Sequence, residues 1–318
     1  MAGYNEIRGL RVKYLSADPS NAEDGQVWYN STTGNLRVAG VLGTGAWASG
    51  GNVNTSRTTA SAGTQNANVI FGGQMSNPPY ADQSIVEEYN GSSWSEVNNY
   101  PIAVGNLSGT GTQTAALGFG GYPNVTTTNE YDGTNWTSGG ALGTGRELLA
   151  GIGVQTAALA AGGLVRPSTN TTAVEQYNGS SWTSAPSLNT GLYGRNGIGT
   201  TSAALASGGN PSSNAVEEYN GSSWTTVNTR PYSASTAMGS GIQTAALNYG
   251  GNPAGVVTTT VSYDGTNWSA ESAMATGRSM GGGSPSGTTS AALASTGYPG
   301  TATEEFTEPV GTATVSVS

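Results

Sequence analysis

The feature that most restricts the possible folds of this 318-residue chain is a hexapeptide that returns at a nearly constant interval. YNGSSW occupies residues 89–94, 177–182 and 219–224, and the variant YDGTNW occupies residues 131–136 and 263–268. The tryptophans of these copies are Trp94, Trp136, Trp182, Trp224 and Trp268. Successive copies are therefore 42, 46, 42 and 44 residues apart. This interval indicates a solenoid or a propeller built from one repeated supersecondary unit.

Each copy ends a longer unit that predicts four short antiparallel strands. A Gly- and Ala-rich run leads through a Gln-Thr or Thr-Ser turn into an Ala-Ala-Leu strand that ends in Gly-Gly, as in residues 152–163 and 240–251. After a variable loop, a strand such as VEEY (86–89) leads into Asn-Gly or Asp-Gly, which are typical of type I′ hairpins, and the Trp opens the fourth strand. Such a unit has the size of one propeller blade. We expect its Tyr and Trp to fill the wedge between neighbouring blades.

Composition restricts the chemistry of the chain. It has 15 Tyr and 7 Trp, more aromatic surface than a disordered Gly- and Ser-rich linker carries, so it should fold. It has no Cys and no His, so it lacks disulfides, thiolate metal sites and the imidazoles of most metalloenzymes and hydrolytic triads. We therefore expect no enzymatic activity, no metal site and no cofactor.

Charge and hydropathy restrict the partners. The net charge of −9 falls on residues 41–318, because residues 1–40 hold equal numbers of acids and bases. An acidic body repels phosphate backbones, so we expect no nucleic acid partner. The opening MAGYNEIRGL lacks the apolar core of a signal peptide, and no later run approaches membrane-spanning length, so we expect no membrane insertion.

The number of blades follows from the Gly-Gly pairs. These, with one variant, are Gly72-Gly73, Gly120-Gly121, Gly162-Gly163, Gly208-Gly209, Gly250-Gly251 and Thr296-Gly297. The last is followed by TEEF (303–306) but by no Trp. WASGGNVNTSR (47–57) aligns with the segments after Trp136 and Trp268, with an Arg ten residues after each Trp. Trp47 is therefore expected in the outer strand of the last blade, with residues 43–57 pairing near residues 303–306, which closes the ring and removes open edges.

The order Gly-Gly, Glu-x-Tyr, Trp resembles the kelch repeat over roughly residues 41–310. The glutamates two residues before the aromatic, as in that family, are Glu87, Glu175, Glu217 and Glu304. Natural partners for these carboxylates are Arg57, Arg146 and Arg278, because an unpaired buried charge is costly. The repeats and this resemblance together predict an all-β fold, a six-bladed kelch-like propeller over residues 41–310 that is closed by an N-terminal strand, with a β-hairpin module at residues 1–40 and a tail at residues 311–318.

The first 40 residues differ from the repeats. GQVWYNSTTGNLRV (25–38) alternates apolar and polar residues on both sides of a polar turn, which predicts a hairpin after the loop LSADPSNAEDG (15–25). This segment resembles a short adaptor module of bacteriophage virion proteins that precedes fibre or receptor-binding domains. The propeller likewise resembles structural proteins of marine phages. The alternative is an ordinary N-terminal β-hairpin packed on the propeller.

Two functions are consistent with these patterns. The phage resemblance implies a virion structural protein, as a tail fibre, tail-associated or decoration component in multiple copies per particle. It would attach to other virion proteins through residues 1–40 and bind a host-surface glycan or protein through the propeller. Synthesis in the host cytoplasm and release by lysis would fit the lack of an export signal. The alternative is a cellular kelch-like binding protein, either a lectin or a protein-interaction adaptor.

Binding is expected in the loops that break the repeat, because loops vary where strands are held fixed. Tyr and Arg are strong contact residues. The candidate binding residues are Tyr80, Tyr122, Arg166, Tyr193, Arg195, Arg230 and Tyr232. The simpler alternative for each of these residues is a solvated loop tip that binds nothing. The tryptophans expected to be structural are Trp47, Trp94, Trp136, Trp182, Trp224 and Trp268.

Overall fold

The protein is described by a computed structural model, which covers residues 12–19, 26–41 and 44–314. These residues form strands and connecting loops without helices, so none of them belongs to a helix that could cross a membrane. The chain divides into two compact units, one of residues 1–45 and 308–318 and one of residues 46–307. Residues 1–11 and 20–25 of the predicted attachment module, and residues 42–43 and 315–318, lie outside the described residues.

The second unit is a propeller of six blades, each an antiparallel sheet. From the inner strand outward, blade 1 is β5 (Ala60–Gly63), β6 (Asn68–Phe71), β7 (Val86–Tyr89) and β8 (Trp94–Glu96); blade 2 is β9 (Ser108–Thr112), β10 (Ala115–Phe119), β11 (Thr128–Tyr131) and β12 (Trp136–Ser138); blade 3 is β13 (Ala150–Val154), β14 (Ala157–Ala161), β17 (Val174–Tyr177) and β18 (Trp182–Ala185), with a ribbon of β15 (Leu164–Val165) and β16 (Thr169–Asn170) in its loop.

The remaining blades repeat the pattern. Blade 4 is β19 (Asn196–Gly199), β20 (Ala204–Ser207), β21 (Val216–Tyr219) and β22 (Trp224–Thr226); blade 5 is β23 (Met238–Ile242), β24 (Ala245–Tyr249), β25 (Thr260–Tyr263) and β26 (Trp268–Glu271); blade 6 is β27 (Ala291–Ser295), β28 (Thr303–Thr307) and β4 (Ala46–Ser49). The innermost place of blade 6 is taken by residues 282–284, where Gly282 bridges to Ser295.

The ring closes as the sequence predicts. In β4, Trp47 pairs with Phe306 and Ser49 with Glu304, so a strand from early in the chain completes the last blade. The innermost strands follow one another in the order β5, β9, β13, β19 and β23. Between blades 6 and 1, Gly283 N donates to Ser61 Oγ at 3.0 Å. The prediction of a six-bladed propeller closed by an N-terminal strand is therefore confirmed.

The hexapeptide makes the turn between the third and fourth strands, but not as the expected type I′ turn. Tyr89 pairs directly with Trp94, which leaves a loop of four residues, and of the Asn-Gly pair only Gly91 has a positive φ, at 89°. The Asn90 side chain directs the turn instead, since its Oδ1 accepts from the N–H groups of Ser92 and Ser93 at 3.0 Å. Asp132 and Asp264 cap the YDGTNW turns in the same way, through a short polar side chain that bonds to the backbone ahead of it.

The Tyr and Trp of each copy pack together, with ring centroids 4.8 to 4.9 Å apart. Trp94 and Trp224 are buried, whereas Trp47, Trp136, Trp182 and Trp268 are half-buried. The indole N–H groups mostly reach the preceding blade: Trp182 Nε1 donates to Thr128 Oγ1 at 2.8 Å, and Trp94 Nε1 to Thr303 Oγ1 at 3.0 Å. The predicted wedge filling is confirmed, and the indoles also link neighbouring blades by hydrogen bonds.

A glutamine at the turn between the first two strands also joins a blade to the one before it. Gln155 Nε2 donates to Ala116 O at 3.0 Å and to Tyr131 O at 2.7 Å, both in blade 2. The same two bonds are made by Gln65, Gln113 and Gln243. In blades 4 and 6 the corresponding residues are Thr201 and Thr289, which are too short to span that distance.

The tyrosine that ends the third strand makes a second link to the preceding blade. Tyr177 OH donates to Glu130 Oε1 at 2.6 Å, and the corresponding pairs are Tyr89–Glu305, Tyr131–Glu88 and Tyr263–Glu218. Between blades 3 and 4, Gln176 stands in place of the glutamate. Between blades 5 and 6, Ser262 replaces the glutamate and Phe306 the tyrosine. The two interfaces without the glutamine are thus also the two without the Tyr–Glu pair.

The predicted Arg–Glu pairs lie inside the blades. Arg57 NH1 is 2.5 Å from Glu87 Oε1, Arg146 NH2 is 2.8 Å from Glu175 Oε1, and Arg278 NH2 is 2.5 Å from Glu304 Oε1. All six side chains are buried or nearly so. Burial lowers the pKa of Arg57, Arg146 and Arg278, and the paired carboxylates oppose that change. The pairing is therefore confirmed.

The first unit is a four-stranded sheet in the order β1 (Lys13–Leu15), β2 (Val27–Asn30), β3 (Asn35–Val41) and β29 (Val310–Thr314). The predicted hairpin is confirmed, with Val27 opposite Val38 and Asn30 opposite Asn35. The expected tail at residues 311–318 differs, because its described part lies in β29, antiparallel to β3. The boundary expected at residue 40 accordingly falls at residue 45. Local sequence patterns do not show that a strand from the other chain end pairs here.

Asp18 organises the described part of this sheet. Its Oδ1 accepts from Asn30 Nδ2 at 2.8 Å and from Trp28 Nε1 at 2.9 Å, and its Oδ2 lies 2.9 Å from Arg37 NH2. These hydrogen bonds, with the charge of Arg37, hold the pKa of Asp18 below its usual value. All four residues lie in the segments 15–25 and 25–38 that differ from the repeats.

Candidate functional site

One end of the propeller carries its irregular residues. The loops after the Gly-Gly pairs and the connections between blades lie side by side at this end, and backbone bridges join them. These bridges are Arg57–Met75, Glu147–Leu164, Tyr193–Asn210, Ser235–Asn252 and Ser279–Tyr298. We call this surface of loops and connections the loop face. The turns with the glutamines and the hexapeptides lie at the opposite end of the strands.

The Gly-Gly pairs allow the two kinds of segment to approach each other. Gly73 has a φ of 97°, and a Cβ on it would lie 1.7 Å from the carbonyl oxygen of Thr58. Any other residue would be strained in its backbone and would push the connection away. The Gly-Gly pairs, from which the number of blades was predicted, therefore also allow the loops and connections of the loop face to pack closely.

The loop face narrows at the propeller axis to a near-continuous ring of backbone hydrogen bonds. Asn106, Leu148, Gly194, Thr236 and Met280 have φ values between 53° and 63°. Each of the last four donates its N–H to the carbonyl oxygen of the residue before it in this series, at 2.7 to 3.1 Å, and Thr59 N donates to Met280 O. Four non-glycine residues in a left-handed conformation are a costly arrangement that the surrounding ring must maintain.

Two small cavities follow the axis. One of about 100 Å³ lies at the ring and is lined by Thr59, Asn106 and Leu148 among others. One of about 130 Å³ continues between the inner strands beside Ser61, Ser108 and Asn196. Ligand pockets usually measure about 300 to 1,000 Å³. The axis is therefore too narrow for a ligand of that size, and the loops around it are the better candidates for contact.

The candidate binding residues fall into two groups. Tyr80, Tyr122 and Arg166 are exposed on the loops, with 54%, 40% and, for the Arg166 side chain, 42% of their surface accessible. Tyr193 is half-buried. The structure brings Tyr122 and Arg166 together, because the guanidinium carbon lies 4.8 Å from the ring centroid. It leaves Tyr80 in the loop of another blade.

Arg195 and Arg230 are not loop contacts, which corrects their interpretation as binding residues. Arg195 is buried, and its NH1 lies 2.7 Å from Glu217 Oε1, so it is the fourth Arg–Glu pair of the blades. Arg230 is buried in blade 5, where it donates to Asn248 Oδ1 at 3.1 Å and to Ala234 O at 2.8 Å. A buried guanidinium needs these acceptors and is not free to meet a ligand.

Tyr232 belongs to the same internal group. Its ring lies 4.7 Å from the guanidinium carbon of Arg230, and its hydroxyl donates to Gly250 O at 3.1 Å. Burial raises the pKa of its phenol and lowers the pKa of Arg230. Tyr232 therefore supports the blade 5 connection, and only its half-buried surface remains for contact.

Glu147 is a site residue that sequence reasoning missed. Its carboxylate is fully buried. Its Oε1 is 2.5 Å from Arg166 Nε, and its Oε2 accepts from Asn106 Nδ2 at 2.9 Å. Glu147 follows Arg146 directly, and the analogous residues of three other blades are Tyr193, Ser235 and Ser279, so its charge is specific to blade 3. That departure from the repeat was the signal available in the sequence.

Tyr298 is a second missed residue. Half of its surface is accessible on the blade 6 loop. It stands in the tripeptide Gly-Tyr-Pro, the same three residues that surround Tyr122, and this identity could have identified it. Within the described ranges, no three His, Cys, Asp or Glu side chains come together as ligands for a metal ion.

Comparison with known proteins supports the fold alone. No protein-family model matches the chain, and no curated protein matches it in sequence. Among solved structures, 331 chains match, so the fold is widely shared and does not select a function. One of them, the structure of YjhT, matches with a TM-score of 0.62 and 12% sequence identity, over 81% of this chain and 97% of its own. The chain is thus similar to YjhT as an all-β propeller.

Proposed function

We propose that this protein is a structural component of a bacteriophage virion, on the tail or as a decoration, and that its loop face binds the host surface. The first unit would attach to other virion proteins in multiple copies per particle. The observation that carries the proposal is the Asp18 network, because the segments that resemble phage adaptor modules supply all four of its residues, Asp18, Trp28, Asn30 and Arg37.

The arrangement of the propeller supports the second half of the proposal. The repeat residues are occupied in internal contacts, since the tryptophans and glutamines link neighbouring blades and the four Arg–Glu pairs lie within blades. The exposed aromatic residues Tyr80, Tyr122 and Tyr298 lie on loops of the loop face. Binding residues are commonly found on loops that a rigid scaffold positions. A rigid body with one variable end suits recognition better than catalysis.

Labelling of particles tests the proposal. Antibodies raised against the chain and coupled to gold should label purified particles produced by the genome that encodes it, at repeated positions on each particle. Particles without the gene serve as the control. Label that stays with the host cell and never appears on particles would contradict the virion role and favour the alternative, a cellular lectin or protein-interaction adaptor with the same loop face.

A further inference from the structure

The strongest unexplained feature of the propeller is the buried carboxylate of Glu147. Four other buried glutamates pair with an arginine inside their own blade, and the repeat accounts for them. Among the described residues of the propeller, the Glu147–Arg166 pair stands outside this pattern. Burying a carboxylate is costly unless it is paired and hydrogen-bonded, and the analogous residues Tyr193, Ser235 and Ser279 of other blades carry no charge. We therefore look for the role of the Glu147 carboxylate in its contacts at the loop face.

Glu147 fixes an arginine against an aromatic ring. Arg166 contacts the fully buried carboxylate at one side and covers the Tyr122 ring at 4.8 Å, while part of the Arg166 side chain and part of Tyr122 remain open to solvent. The Asn124 side chain fixes the two loops as well, since Arg166 N donates to Asn124 Oδ1 at 2.8 Å across the boundary between blades 2 and 3. The two exposed groups are thus held in one geometry before any ligand arrives, which lowers the entropic cost of binding.

The charge of this cluster selects the class of ligand. Glu147 compensates the positive charge of Arg166, and the chain has a net charge of −9, so an anionic ligand gains little attraction and meets a repulsive field. A neutral ligand with many hydroxyl groups instead meets guanidinium N–H donors and an aromatic surface for its apolar face. Neutral sugars combine these two properties.

We propose that Tyr122, Arg166 and Glu147 form a subsite for a neutral hexose unit of a surface glycan. This proposal rests on the proposed function and names the ligand class of the same loop face. Tyr122 packs against the apolar face of the sugar, Arg166 donates to its hydroxyl oxygens, and Glu147 is a positioning residue that holds the guanidinium from below. A single subsite binds weakly, and many copies on one particle give the avidity that adsorption needs.

Glycan binding by the full chain tests the subsite. The intact protein coupled to beads is applied to an array of neutral and carboxylated oligosaccharides at physiological salt. We expect retention on neutral hexose-rich glycans, competition by the free hexose, and a loss of about tenfold or more in Tyr122→Leu. Arg166→Lys keeps a charge beside Glu147 but loses the planar fork of donors, so it should show a similar loss.

Ile242→Ala is the matched control, because Ile242 is exposed at a turn on the opposite end of the propeller. It should bind as the unaltered chain does, and all three variants should keep the melting temperature. Retention on carboxylated glycans in preference to neutral ones, or equal retention by Tyr122→Leu and the unaltered chain, overturns the subsite.

Adsorption of the same beads to susceptible cells separates the two proposals. Adsorption that Tyr122→Leu leaves unchanged overturns the subsite and keeps the proposed function. Failure of the unaltered chain to adsorb to any susceptible cell counts against host binding itself, while the array still decides the sugar subsite.

Discussion

At the scale of single residues, buried Arg–Glu pairs recur at one place in the blade although the arginine comes from different backbone positions. In blade 3, Arg146 comes one residue before Glu147, which bridges to the loop. In blade 4, Arg195 comes two residues after the equivalent residue, Tyr193. Both arginines nevertheless reach the glutamate of the third strand of their own blade. In blade 5 both partners are absent, since Ala234 and Val261 take their positions. This position in a blade therefore holds either both the arginine and the glutamate or neither of them.

Breaking one pair tests this rule. Glu217→Leu leaves Arg195 buried without its carboxylate, and the free energy of unfolding should fall by about 3 to 5 kcal/mol. In the double variant Arg195→Met with Glu217→Leu, most of that loss should be recovered, as blade 5 already shows the place without a pair. Recovery is incomplete because the N–H groups of Asn189 and Thr190 also donate to Glu217. Urea unfolding measures both, and equal losses in the single and double variants would contradict the rule.

The same residues show how far the sequence predicts this chemistry. Arg57, Arg146 and Arg278 were predictable, because each lies ten residues after a Trp. Arg195 lies thirteen residues after Trp182, at a later position in a connection of the same length, and only the backbone geometry reveals that it serves the same purpose. Arg230 was misassigned because its acceptors, Asn248 Oδ1 and Ala234 O, belong to another strand and to the connection itself.

At the scale of elements, the links between blades are unequal. Four of the six interfaces combine a glutamine with a Tyr–Glu pair, and the interfaces between blades 3 and 4 and between blades 5 and 6 have neither. Adjacent blades contact through apolar rings and small side chains in every case, so these polar links set differences of stability around the ring. Blade 1 therefore differs from the opposite blade 4, and blade 3 from the opposite blade 6, whereas blades 2 and 5 both carry the two links to the blade before them.

Exchanging the glutamine tests its contribution. Gln155→Ala leaves Ala116 O and Tyr131 O without their donor, which should cost about 1 to 3 kcal/mol. Thr201→Gln places the same side chain at the interface between blades 3 and 4, where the corresponding oxygens are Ala158 O and Tyr177 O, and should raise the melting temperature. Thr201→Met, which has nearly the length of glutamine but no amide donor, is the control. A Thr201→Gln protein no more stable than this control would contradict the assignment.

The Tyr–Glu links predict a loss of stability at alkaline pH. Burial and the neighbouring carboxylates, Glu305 and Glu130, raise the pKa of Tyr89 and of Tyr177 to about 12. An unfolded tyrosine titrates near about 10, so this contribution is complete below that pH and is lost as pH rises from about 10 through 12. In Tyr89→Phe with Tyr177→Phe, which copies Phe306 of blade 6, the melting temperature should fall less steeply over this range. Parallel curves for the two proteins would show that these tyrosines do not titrate with folding.

At the scale of the whole molecule, the order of the copies is itself repeated. Blades 1 and 4 carry YNGSSW and blades 2 and 5 carry YDGTNW, and the Arg–Glu pair is absent from blades 2 and 5. Counting repeats predicted the blade number and the origin of the closing strand. It did not predict β29, because a strand supplied by the far chain end leaves no periodic signal, nor the Tyr122–Arg166–Glu147 cluster, because the loops of two blades must first be brought together.

Closure of the ring by β4 predicts how the propeller responds to truncation. Removing residues 1–45 and 308–318 deletes the first unit but keeps β4 to β28, so the propeller transition should stay close to its temperature in the full chain. Removing residues 46–50 as well exposes β28 as an open edge and deletes Trp47, whose ring packs 5.0 Å from Tyr249 and 5.3 Å from Phe306. Loss of a packed Trp costs about 3 to 5 kcal/mol, and at roughly 2 to 4 °C per kcal/mol the melting temperature should fall by about 10 °C, or the protein should aggregate.

A peptide of residues 46–57 added in excess should restore part of the loss by binding the folded state, and a version with Trp47→Ala should restore less. Equal melting of the two truncations would mean that blade 6 does not depend on β4.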